Sequence, residues 1–294
     1  VGKTTLTANI GAELASRGRR VLLVDLDPQS SLTFSLYRVS QWEQELASDR
    51  TVLQWFQSFL ARGSADPLHK YVVTPPAVNE LVRRNGGQLD LVASHLGLID
   101  VDLDLAAGLG GSRFQLDSPR FLPVHRVLAE ALQDPAFAQY DAILIDCAPN
   151  FNMVTRTAIV ASDHVIIPAR PDYLSTLGID YLRTRLSRLV EEYNAVAGRA
   201  AVGDINPEIL GVVYTMIQQA SAGPINAQRA SMDRLRQIEI SVFPQTIRDN
   251  KTAVTDAGDS SVPAVLAADG SAALVALQYE FQQLTSEFVA KTRS

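Results

Sequence analysis

The chain has 294 residues, a formal net charge of -6 and 47% hydrophobic residues, enough to bury a large core in an ordinary globular protein. A pI near 5.3 excludes a chain coated in basic residues for tight nucleic-acid binding, since such domains have pI above about 9. Apolar runs such as 21–24, 143–145 and 165–167 are far too short to span a bilayer. The single cysteine, Cys147, excludes an intrachain disulfide and points to a reducing compartment, the cytoplasm.

Val1, Gly2, Lys3, Thr4 and Thr5 read as the end of a phosphate-binding Walker A loop running into a helix. The glycine-rich half of such a loop, and the first core strand that leads into it, are expected before Val1. Residues 4–17 then carry Leu6, Ile10 and Leu14 at helical spacing, and Gly18 follows where a C-terminal cap belongs. The run 21–24 is a continuous apolar strand closing on Asp25 and Asp27, and the same pattern recurs at 142–146, 164–169 and 209–214. Residues 50–84 read as helix plus loop with Trp55, Phe56 and Phe59 in the core, and 89–93 as a short strand. Helices are expected at 121–132, 154–162, 179–197 and 225–237, and a last one at 272–291 docks on the body through Leu274, Leu277, Phe281, Leu284 and Phe288. Linker-like stretches fall at 62–66, 107–112 and 197–207, none long enough to mark a domain boundary.

Strands alternating with helices predict an α/β fold, a mostly parallel twisted sheet with helices on both faces, as one domain over 1–294 that lacks its first core strand. Ligands in such folds lie beyond the strand C-termini, where Asp25, Asp27 and Asp146 all fall. Lys3 is placed to reach the β- and γ-phosphates of a nucleotide, the Thr4 hydroxyl to coordinate Mg²⁺, and the NH groups of 2–5 to hold phosphate oxygens. Residues 142–149, AILIDCAP, form the Walker B arrangement, a strand ending in a carboxylate that holds Mg²⁺ directly or through water. Cys147 beside it reads as a small packed hydrophobe. His69, His95, His125 and His164 have no metal spacing and read as surface or capped residues.

The segment 21–31, VLLVDLDPQSS, carries the resemblance. With the opening GKTT and the strand ending DCAP, the chain resembles the ParA/Soj/MinD group of deviant Walker A ATPases, whose members carry K-G-G-x-G-K-T-T, D-x-D-P-Q-[GS]-[NS] and D-C-P-P. VIIPARPDYLSTLGI, ILGVVYTM and FPQTIRDNKTAVTDAG are similar to later segments of that family, so the resemblance covers nearly the whole chain, with the chromosome- and plasmid-partitioning ParA branch the nearest. It implies that Lys3 and Asp27 are catalytic, Asp27 positioning the attacking water. Gly2, Lys3, Thr4, Thr5, Met216 and Pro244 would contact the nucleotide, the last two at the base; Thr4, Asp25 and Asp146 would serve the metal. ATP and Mg²⁺ are the implied cofactors.

The sequence departs from the family pattern at Ser30, where many relatives have glycine, at Ala148, and around Thr252 and Val254. The signature lysine of the family would stand three positions before Val1. The resemblance implies a slow ATPase that dimerises on ATP, binds DNA without sequence preference, answers to a ParB-like centromere-binding protein, and works in the cytoplasm at the nucleoid. No membrane partner is expected, because the last helix carries Glu280 and Glu287 on its polar face. Arg229, Arg234, Arg236, Arg248 and Lys251 are the candidate DNA contacts. The alternatives are a non-catalytic positioning scaffold of the same fold and a MinD-like membrane-cycling ATPase.

Overall fold

Strands that are apolar at every position need cover on both faces, and the chain supplies it from its helices. In a computed structural model of the protein, the residues described are 2–110, 115–220, 223–224, 240–249, 261–268 and 270–293. The expected helix at 225–237 lies outside them, as do Thr252 and Val254. Helix α1 (Lys3–Ser16) turns into strand β1 (Arg20–Leu26) through Gly18 at φ +83°, where a Cβ would come 2.9 Å from the Asn85 carbonyl.

β1 is the buried centre of a four-stranded sheet. It runs parallel to β3 (Gln88–Val92) on one side and to β4 (Ala142–Cys147) on the other, and the short β2 (Val72–Val73) is antiparallel on the outside of β3. The two-residue period of the strand sorts its side chains. Val21 and Leu23 share a core with Leu6, Ile10 and Leu14 of α1 and with Leu277, Phe281 and Leu284 of the last helix, α10 (Ala272–Lys291). Leu22, Val24 and Leu26 face the opposite core, made by α4 (Val52–Arg62), α7 (Phe121–Leu132) and α8 (Met153–Val160). Helices thus cover both faces, as predicted, and Trp55 and Phe56 are fully buried.

Polar side chains fasten the α10 side. Glu280, expected on the polar face of the last helix, is instead buried: it accepts from the Arg248 guanidinium at 2.7 Å and from the Arg248 amide at 2.9 Å, and the Val265 amide donates to the Asn9 side-chain Oδ1 of α1 at 2.9 Å. Arg248 is therefore held by an ion pair within the fold. The other candidate DNA contacts, Arg229, Arg234, Arg236 and Lys251, lie outside the described residues.

A second parallel pair is formed by β5 (His164–Ala169) and β6 (Glu208–Tyr214), connected by α9 (Tyr173–Arg199). The segment 240–249 runs beside β6, with Val242 bridged to Val212 and the Ile247 amide donating to the Tyr214 carbonyl. Among the described residues no ladder joins β4 to β5, and both strands are only half-buried along most of their length.

The structure corrects the sequence reading at several elements. α9 begins at Tyr173 rather than at 179, because the Asp172 carboxylate accepts from the Ser175 amide and starts the helix six residues before the expected position, with Gly178 inside it. Residues 98–105, whose alternating acids and aliphatics obscure a helical period, form helix α6 (Leu98–Gly108). His125 is not on the surface: it is 0% exposed, beside Phe121 with ring centroids 4.2 Å apart, and its Nδ1 lies 2.8 Å from the Phe121 carbonyl. No helix among the described residues is long and apolar enough to cross a membrane.

Candidate functional site

The register of the sheet sets two carboxylates side by side: Asp25 on β1 is the partner of Asp146 on β4, and Leu26 the partner of Cys147. Alternation aims both carboxylates to the α1 side and turns Cys147 to the other face, where it packs with Ile143 and Ile145. Burial pushes the Cys147 thiol far up, which makes it a packed hydrophobe rather than a reactive group.

Thr4 at the start of α1 meets the end of β4. Its hydroxyl donates to Asp146 Oδ2 at 2.6 Å, while Oδ1 of the same carboxylate is buried with no hydrogen-bond partner among the described residues. Burial raises Asp146 to about 6; the Thr4 hydrogen bond and the nearby Lys3 ammonium pull it down, and Asp27 pushes it up. Lys3 and Asp27 are thus within electrostatic reach of Asp146. Asp25 is fully buried and raised to about 7, first by desolvation and then by Asp146.

Both Asp25 oxygens serve the loop that follows. Oδ2 accepts from the Thr33 amide at 2.8 Å and the Thr33 hydroxyl at 2.7 Å, and Oδ1 from the Asp27 amide at 3.2 Å. The Ser94 amide in turn donates to the Thr33 hydroxyl oxygen at 2.9 Å, and the Ser94 hydroxyl donates to the Asp27 carbonyl at 2.7 Å. Thr33 and Ser94 were not legible in the sequence, because no motif spacing connects them to the Asp25–Asp27 pair. Together they hold Asp27 in place from two sides.

Asp27 opens a tight turn. Its Oδ1 accepts from the Gln29 amide at 2.9 Å and its carbonyl from the Ser30 amide at 2.8 Å. Ser30 itself sits at φ +54°, fully buried, so the position that many relatives fill with glycine does require a left-handed backbone, at a cost of about 1 kcal/mol for a residue with a Cβ.

The first turn of α1 is built to receive an anion. Gly2 caps it at φ +75°, no side chain caps the helix, and its first turn holds no acidic residue. The Leu6 amide is the first to bond back, to the Gly2 carbonyl, so the donors before it lack an intrahelical acceptor. A Cβ at Gly2 would stand 3.1 Å from Thr215 Cγ2 and Oγ1, so the end of β6 presses on the same loop. Met216 follows at φ +56°, one residue beyond that contact. Pro244 is exposed, one residue past Phe243, whose amide donates to the Val212 carbonyl; this sets it beside β6 rather than at the start of α1.

The donor set fits phosphate oxygens with a divalent cation. It offers one ammonium, a helix N-terminus, a hydroxyl and a carboxylate oxygen without a hydrogen bond among the described residues, and a cation there would offset the burial that raises Asp25 and Asp146.

Residues 1–196 match the model of a family described as an AAA domain. The chain belongs to the ParA/MinD family of P-loop ATPases. It is 29% identical over 224 residues to the chromosome partitioning protein ParA of Caulobacter vibrioides, an alignment covering 76% of this chain and 67% of that one. With the sporulation initiation inhibitor protein Soj of Bacillus subtilis the identity is 29% over 219 residues, 74% of this chain and 68% of that one. An uncharacterised protein of Mycobacterium tuberculosis is 31% identical over 196 residues, and there the match spans only 51% of the relative's length. The fold is shared with apo McdA of Cyanothece, at TM-score 0.68, 20% identity and coverage of 98% of this chain and 94% of that one. It is also shared with cobyrinic acid a,c-diamide synthase of Mycobacterium smegmatis, solved with an ATP analogue and magnesium, at TM-score 0.63, 21% identity and coverage of 100% and 91%.

Proposed function

We propose that this ParA/MinD-family chain is a partitioning ATPase that binds ATP with Mg²⁺, dimerises on it and hydrolyses it slowly. The observation that carries the reading is the Thr4–Asp146 contact with its unsatisfied Oδ1, inside the reach of Lys3 and Asp27. Thr4 and Asp146 would hold Mg²⁺, which would supply neutralising charge at the phosphates. The Lys3 ammonium and the NH groups of 2–5 bind the β- and γ-phosphates and neutralise charge that builds on the bridging oxygen. Asp25 keeps the Asp27 turn in position through Thr33, and Asp27 orients a water in line with the γ-phosphorus. The water oxygen bonds to phosphorus as the bond to the β–γ bridging oxygen breaks, giving ADP and phosphate, with the water's proton carried off by phosphate. Orientation and charge neutralisation account for most of such a rate, which suits a site with little covalent machinery.

The same reading takes 1–294 as one domain whose sheet accommodates one more parallel strand between the unpaired edges of β4 and β5. Met216 and Pro244 would flank the base. Nonspecific DNA, a ParB-like protein and a cytoplasmic, nucleoid-associated setting belong to the same proposal, which the likeness to a chromosome partitioning protein supports. The test is ATP turnover by the protein and by Asp27→Ala. Turnover that falls roughly a hundredfold or more with ATP affinity retained supports the assignment; equal turnover in both removes Asp27 from catalysis.

A further inference from the structure

Beyond the end of β3 the chain has left its ladders but is still buried. The pairing with β1 and with β2 stops at Val92, so the carbonyls of Ala93 and Ser94, both residues 0% exposed, need donors from outside the sheet. Two helices supply them. The Val52 amide at the start of α4 donates to the Ala93 carbonyl at 2.8 Å, and the Trp42 indole donates to the Ser94 carbonyl at 3.1 Å. Trp42 is the buried residue of α3 (Val39–Glu45), a helix otherwise exposed or half-buried, so this side chain is what fastens α3 to the body.

Ser94 joins three segments, and each of its polar groups is used. Its carbonyl accepts from Trp42, its amide donates to the Thr33 hydroxyl oxygen, and its hydroxyl donates to the Asp27 carbonyl. Because the Thr33 hydroxyl donates to Asp25 Oδ2 and the Asp27 amide to Asp25 Oδ1, these bonds close a ring through Asp25, Thr33, Ser94 and Asp27. The indole grips that ring from outside. Phe34, the last residue of the short helix α2 (Ser31–Phe34) after the Asp27 turn, meets it edge-on with centroids 5.4 Å apart, and His95 lies tilted against it at 5.3 Å. Trp42 therefore packs on both of the segments that Ser94 ties together. Thr4 bonds to Asp146 instead and takes no part in the ring.

We propose that Trp42 is a positioning residue for hydrolysis: through the Ser94 carbonyl and hydroxyl it fixes the Asp27 turn, so the docking of α3 sets the rate of the chemical step and leaves nucleotide affinity alone. A buried, fully bonded network moves as a unit, and a shift of the indole reaches the Asp27 carbonyl across a single residue. Small shifts matter there, since misplacing a reacting group by about 1 Å costs about a hundredfold in rate. The inference rests on the proposed role of Asp27 in orienting water.

The experiment measures ATP turnover and ATP affinity for the full chain and for Trp42→Phe, Ser94→Ala, Asp27→Ala and the Trp42→Phe/Asp27→Ala pair. Phenylalanine keeps the packing and removes the N–H, so Trp42→Phe lowers kcat roughly tenfold with ATP affinity within about twofold of the parent, and Ser94→Ala does the same. On the residual turnover of Asp27→Ala the substitution at Trp42 has no further effect, because it acts through that aspartate. A second readout needs no turnover. In the nucleotide-free protein the Trp42 indole N–H, told from that of Trp55 by its loss in Trp42→Phe, exchanges with solvent roughly tenfold or more faster in Ser94→Ala. Trp42→Phe turning over as the parent does, losing affinity in step with rate, or costing as much in the Asp27→Ala background overturns the proposal, as does an indole exchange rate indifferent to Ser94→Ala. An inactive Asp27→Ala beside a fully active Trp42→Phe keeps the role of Asp27 and discards the positioning. Equal turnover in the parent and Asp27→Ala discards both.

Discussion

The hydroxyl of Thr4 donates to Asp146 Oδ2 across 142 residues of sequence, at 2.6 Å, and leaves Oδ1 of that carboxylate buried without a partner among the described residues. That single bond joins the two motifs, the helix start and the strand end, into one site. It also leaves a buried oxygen that a cation would satisfy.

Without nucleotide, Asp146→Asn should stabilise the protein. The carboxyl is raised from 3.8 to about 6 by burial, so the native state holds its proton more tightly than the unfolded chain does. The stability linked to that proton is complete below pH 3.8 and is lost as pH rises through 6. Urea unfolding in metal-free buffer at pH 8 should show the amide variant more stable by about 1–3 kcal/mol, a gap that closes toward pH 4. A variant less stable at pH 8 would contradict it.

Gly2→Ala should damage binding and folding together. The residue sits at φ +75°, and the added Cβ meets the Thr215 side chain at 3.1 Å. A loss of about 1–2 kcal/mol in stability is expected from the backbone strain and the close contact. Thr215→Ala in the same chain should recover only part of it, because it clears the contact and leaves the φ unchanged. Full recovery in thermal unfolding would show that strain has no share.

His125 sets an opposing pH dependence. Burial pushes it down to about 4, its ring nitrogen Nδ1 lies 2.8 Å from the Phe121 carbonyl, and Nε2 has no partner among the described residues. Neutral histidine contributes its full stability above the unfolded value of 6.5, and the contribution is lost as pH falls through 4. Relative to His125→Phe, the parent should lose about 3 kcal/mol between pH 7 and pH 4 in urea unfolding. An unchanged difference across that range would refute the assignment.

The parts of the fold legible in the sequence are those where one physical signal acts alone. β1 and β4 announce themselves as apolar runs ending in Asp25 and Asp146, because strands covered on both faces leave no room for polar residues until they emerge. α6 was not read as a helix, since Asp100, Asp102 and Asp104 alternate with Val101, Leu103 and Leu105 and mimic a period of two. The site divides in the same way. Lys3, Thr4, Asp27 and Asp146 follow from motif chemistry, whereas Thr33, Ser94 and Thr215 act through contacts that arise only when distant segments pack. His125 was misplaced because a lone histidine in a helix gives no sign of which face it occupies.

The most direct test of the shared site is calorimetric titration of ATP into the protein with and without Mg²⁺, repeated on Asp146→Asn. The account predicts that Mg²⁺ tightens binding in the parent roughly tenfold or more and that this enhancement disappears in the variant, as expected when a metal ligand is removed. Binding that is indifferent to Mg²⁺ in the parent, or equally enhanced in both proteins, would contradict it.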